Sequence, residues 1–144
     1  MLAGGVAVTL VMTLLAGSHQ TDHMPEAVAA VARYAQAIPP PAGDRLPEHA
    51  APTEVGRAVT VNSGGQRIVL RTWRLGDAEA VVAVSTRPFP MPARANDVPG
   101  EGMAWSARLG RLHLYCLNGR TSELVAGPVT VAELAALAAR LPPV

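Results

Sequence analysis

The sequence predicts an α+β fold: an N-terminal membrane helix, then an antiparallel sheet of about six strands with one or two helices packed on one face. Three observations lead there. No Lys, Arg, Asp or Glu occurs before Asp22, and Leu2 to Leu15 is almost wholly apolar. From Arg57 to Ala126 apolar residues recur with period two, punctuated by turn glycines. At either end of that region an apolar stripe at helical spacing stands between a start signal and a proline stop. The chain therefore divides into a transmembrane segment or signal sequence at 1–21, a helix and Pro-rich linker at 22–56, and a small α+β domain at 57–144.

A spanning helix needs roughly 20 apolar residues, and a signal-peptide core about 7 to 15. Leu2 to Gly17 falls between these lengths, and the uncharged residues Ser18 to Thr21 extend the run to that of a short span. Ala16-Gly17-Ser18 is a small-x-small cleavage pattern, but no basic residue precedes the run. Basic residues ordinarily hold the cytoplasmic end of a first helix, so their absence suggests a gene product that begins further upstream. A membrane anchor through residues 2–18, a cleaved signal and a buried helix of a soluble protein are the three readings. Length and missing charge favour the anchor, which implies a single-pass protein of the cell membrane with its C-terminal domain extracytoplasmic.

Val28, Val31, Tyr34, Ala35 and Ile38 predict a helix over 25–37, with Pro25 and Glu26 in its first turn and Pro39-Pro40-Pro41 as its stop. The segment to Gly56 is rich in Pro, Gly, Ala and isolated charges, as an extended linker would be. Strands follow at 57–62, 66–73 and 79–85, separated by Ser63-Gly64-Gly65 and Gly76-Asp77; this is the pattern of an antiparallel meander. Val81 to Val84 is apolar on both faces, as suits the middle of a sheet. Pro88, Pro90 and Pro92 cannot donate to a ladder, so 87–102 reads as loop. Alternation then returns in Met103 to Leu109 and Leu112 to Cys116, a hairpin about Gly110. Asn118-Gly119 reads as a type I′ turn leading into a strand at 121–126. Thr130-Val131-Ala132-Glu133 spells a capping box ahead of the stripe Val131, Leu134, Ala138 and Leu141, which Pro142 ends.

Net charge is +1, and the twelve basic residues, all Arg, are scattered among eleven acids, so the stripe that nucleic-acid binding requires is missing. One cysteine rules out an intrachain disulfide and a four-ligand cysteine zinc site. His19 and His23 share helix spacing, but Gln20, Thr21 and Asp22 between them leave no acid where a metalloprotease places its base. Cys116 lies on a predicted inward strand face, and His113, an odd number of residues away, points to the other side, which disfavours a thiol-imidazole dyad. Trp73 and Trp105 are core candidates in a chain this poor in aromatics. Pro88, Phe89, Pro90, Met91 and Pro92 form the best candidate for partner contact, because a stiff extended segment loses little entropy on binding; the plainer reading is that Phe89 tucks over the sheet edge. Glu101 and Glu123 could act as acid and base, though nothing in the sequence brings them together. No catalytic residue, cofactor site or metal site is expected.

Gly102-Met103-Ala104-Trp105, Gly110, Leu112 to Leu117, Gly119, Glu123-Leu124 and Glu133 to Ala138 together resemble the extracytoplasmic end of membrane-anchored anti-sigma factors of high-GC bacteria. The order of parts is similar too: a spanning segment, a linker, then a small α+β domain outside. The sigma-binding part of that family is cytoplasmic and often carries a His-x-x-x-Cys-x-x-Cys zinc motif ahead of the membrane; the motif is absent here, so no functional residue carries over. The resemblance implies a non-enzymatic, membrane-tethered regulatory domain in signal transduction and transcription regulation, with a protein partner or protease acting on it. The alternative is a secreted or periplasmic binding module for a small ligand or partner, released by cleavage after Ser18. An exported hydrolase is a third reading without a motif behind it.

Overall fold

The computed structural model describes residues 24–41, 51–100 and 102–142. The uncharged leader, His19, His23 and Glu101 lie outside these. Among the described residues no helix is long and apolar enough to cross a membrane.

Helix α1 (Glu26–Ala35) buries Ala27, Val28, Val31, Ala32 and Ala35 and leaves Tyr34 on its exposed flank. Its first turn has no side-chain cap, but Glu26 complements the positive end of the dipole and the Pro25 carbonyl accepts from Ala29 N at 2.9 Å. Seven strands follow: β1 (Thr53–Ser63), β2 (Gln66–Leu75), β3 (Ala78–Ser85), β4 (Asn96–Asp97), β5 (Met103–Leu109), β6 (Leu112–Asn118) and β7 (Ser122–Gly127). Helix α2 (Val131–Arg140) closes the fold. Its capping box is formed as the sequence predicts: Thr130 Oγ1 accepts from Glu133 N, and Glu133 Oε2 accepts from Thr130 N, each at 3.2 Å.

The strands form one antiparallel sheet in the order β1-β2-β3-β7-β6-β5-β4. It is two meanders joined edge to edge where β3 pairs with β7, Val82 opposite Val125. The join explains the double-sided apolar run in β3 and β7, which lie inside the sheet with a core on each face. The long connection 86–95 crosses the sheet end because β4 and β5 lie beyond β7 and β6.

Four expectations are corrected. The sheet has seven strands, the two-residue β4 adding an edge to β5 that no hydrophobic pattern announces. The helices pack on opposite faces. Val28 and Val31 of α1 meet Ile68, Val81, Leu114 and Leu124, whereas Leu134 and Leu137 of α2 meet Val82, Tyr115 and Val125. The reason lies in the middle of the sheet, where Val81 to Val84, Leu114 to Leu117 and Leu124 to Ala126 are apolar on both faces, so both faces need cover. Finally, Asn118-Gly119 is not a type I′ turn, since neither residue has positive φ. That geometry belongs to Gly64 and Gly65, at φ 59° and 73°, between β1 and β2. Strand β1 also begins at Thr53 rather than Arg57, crossing a bulge between Val55 and Val59 where Gly56 takes φ 71°.

Candidate functional site

On the α2 face the cross-strand rows follow from the register. Val69, Val84, Glu123 and Leu117 stand side by side across β2, β3, β7 and β6. The next row holds Arg71, Val82, Val125 and Tyr115, and the one after it Glu54, Trp73 and Ala80 on β1, β2 and β3. Helix α2 lies over β6 and β7 and seals Tyr115 and Val125; toward β2 it packs on Leu75 and Trp73, and Val69 and Val84 are left only partly covered. What remains open is a groove of about 340 Å³. Val69, Val82 and Val84 line its bottom, Trp73 and the β1–β2 edge one side, and Leu141 with Pro142, just past the end of α2, the other.

Three charged side chains line this groove: Glu54, Arg71 and Glu123. Arg71 Nη1 donates to both carboxylate oxygens of Glu54, at 3.2 and 3.4 Å, so those charges offset each other across the β1–β2 ladder. Glu123 has no hydrogen-bond or ion-pair partner among the described residues, and burial pushes its carboxyl above the ordinary value of 4.5. A mostly apolar lining with one ion pair and one unpaired acid is a composition that suits ligand recognition, and among the described residues there is no cluster that could hold a metal.

The sequence-predicted candidates lie elsewhere. Phe89 is fully buried against Trp105 and the α1 core, and Pro92 is buried with it, leaving Pro88, Pro90 and Met91 on the outside. The loop is fastened by Asn118, whose Oδ1 accepts from Phe89 N at 2.9 Å while Nδ2 donates to Phe89 O at 3.1 Å. Trp105 Nε1 donates to the same carbonyl at 3.3 Å. Cys116 points into the α1 core, its thiol pushed up to about 12 by burial and donating to Asn118 Oδ1 at 3.3 Å, an environment that disfavours the thiolate. His113 lies on the opposite face and donates from Nδ1 to the Val129 carbonyl at 2.7 Å, fixing the approach to α2. The sequence assigned no site role to Arg71, Glu54 or the valines of the groove. Their signal was alternation, which says that they share a face but not that α2 leaves it partly uncovered.

No protein family, curated protein or solved structure matches this chain.

Proposed function

We propose that the chain is a non-enzymatic regulatory domain tethered to the cell membrane by a single pass through residues 2–18, with the folded body extracytoplasmic, in the manner of the outer part of the anti-sigma factors it resembles. The observation that carries this reading is the charge-free run ending at Thr21, followed almost at once by a packed helix beginning at Glu26. The intervening residues 22–25 reach at most about 14 Å when extended, so a body built on α1 would be held against the bilayer surface. Tethering at that distance confines the domain and makes encounter with a membrane-held partner or protease a local event. The groove supports regulation over turnover, since its lining suits recognition. Signal transduction and control of transcription are the roles the resemblance adds.

The small-x-small pattern at Ala16 to Ser18 favours a second reading, a secreted or periplasmic binding module cut after Ser18. Cell fractionation with intact-mass measurement separates the two. Full-length product that stays in the membrane pellet through a carbonate wash is expected; a soluble product beginning at His19 supports the secreted module instead. Full-length chain that is monodisperse in buffer without detergent overturns the tether.

A further inference from the structure

Glu123 occupies a position whose row neighbours Val69, Val84 and Leu117 are all aliphatic, in a strand that is otherwise apolar from Leu124 to Ala126. A half-buried carboxylate with no partner destabilises the fold, and an aliphatic side chain would pack there at no such cost. Two further features give the groove the sign of its missing partner. With Glu54 and Arg71 paired, the charge left on the lining is that of Glu123. The wall formed by Leu141 and Pro142 stands at the C-terminal, negative end of α2, whose last turn also carries Arg140. The valine floor and Trp73 offer hydrocarbon contact, and about 340 Å³ falls at the small end of ligand sites.

We infer that this groove binds an organic cation with a compact apolar body, a protonated amine or amidine whose head meets Glu123 and whose hydrocarbon covers Val69, Val84 and Trp73. The inference concerns the folded body alone and is independent of how that body is held in the cell. A ligand of this kind supplies the counter-charge that no described residue provides, and it excludes water from the carboxylate as it binds, which strengthens the pairing. Anionic amphiphiles of the same shape are repelled by Glu123, and neutral ones gain only the hydrocarbon contact.

The test uses the full-length chain in nanodiscs, titrated with benzylamine, benzyl alcohol and benzoate while the methyl signals of Val69 and Val84 and the Trp73 indole N–H are followed by NMR. Benzylamine is expected to move these signals and to bind at least about tenfold more tightly than the alcohol, the gain of one charge-assisted hydrogen bond. Benzoate is expected to bind more weakly still. In Glu123→Gln the preference for the amine is expected to vanish while the weak hydrocarbon contact persists, and in Val84→Trp, which fills the groove, all three ligands are expected to lose binding. Equal binding of amine and alcohol, a preference that survives in Glu123→Gln, or shifts that leave these three groups unmoved at about 10 mM benzylamine, a concentration set for the weak affinity of so small a ligand, overturns the inference.

Discussion

Asn118 does with one side chain what a strand neighbour would do with its backbone. Its amide exchanges a donor and an acceptor with the N–H and carbonyl of Phe89, and so holds a proline-interrupted segment that cannot join a ladder for itself. Asn118→Ala leaves the Phe89 N–H without its acceptor and the carbonyl with only Trp105. The loss expected in a urea titration is about 2 kcal/mol, with the slope unchanged, since two hydrogen bonds to partly buried backbone go. A loss within experimental error would mean that burial of the Phe89 ring alone anchors the loop. This clamp was only partly legible in the sequence. Asn-Gly is a strong turn signal, and the tertiary demand of an unpaired loop backbone overrode it, leaving both residues at negative φ. Cys116 was read correctly as a core residue, because period two puts it on the same side as Leu112 and Leu114.

At the scale of elements, the turn between β1 and β2 is where α1 meets the sheet. Ser63 Oγ donates to the Glu26 carbonyl at 3.2 Å, and a Cβ on Gly64 would come within 3.2 Å of Ala27 N. Gly64→Ala therefore carries two costs: a left-handed backbone that Ala disfavours by about 1 kcal/mol, and displacement of the first turn of α1. Gly65→Ala carries only the first, since a Cβ there meets nothing nearer than the Arg87 guanidinium at 3.8 Å. In chemical denaturation Gly64→Ala is expected to be the more destabilising by about 1 kcal/mol, as overpacking against backbone is usually felt. Equal losses would show that α1 shifts without penalty. The helices themselves were readable from caps and stops, and the hairpins from their glycines. The faces they cover were not, because a helix stripe states that it needs an apolar surface and does not say which one.

For the molecule as a whole, one sheet serves two cores, and the α2 core is left incomplete at β1 and β2. Burial holds the Glu123 carboxyl above its ordinary value, so between the unfolded value of 4.5 and the higher folded one the native state binds the extra proton, and stability falls as pH rises through that window. Above the window the folded protein carries the full penalty of a half-desolvated anion. Glu54, Arg71 and Arg140 are the other charged groups at this end of the groove or in the adjoining turn of α2, and all three are retained when Glu123 alone is changed. Glu123→Gln is accordingly expected to raise the thermal midpoint at pH 7, with the gain closing as pH is lowered through that window toward 4.5. A midpoint unchanged at pH 7, or a gain that grows toward acid, would show that the carboxylate is well solvated in the native state. A position that lowers stability at neutral pH yet sits at the head of an open apolar stretch of this face is what a binding site looks like in energetic terms.

Alternation, caps and turn glycines are local, and they determined the α+β class and, among the described residues, eight of the nine elements. What only the tertiary structure decided is global: that β7 inserts between β3 and β6, that the helices take opposite faces, and that α2 centres on β6 and β7 and leaves Glu123 beside an apolar hollow. Strand order and helix placement depend on which surfaces find each other across long loops, and the periodicity of a single segment carries no information about its partner.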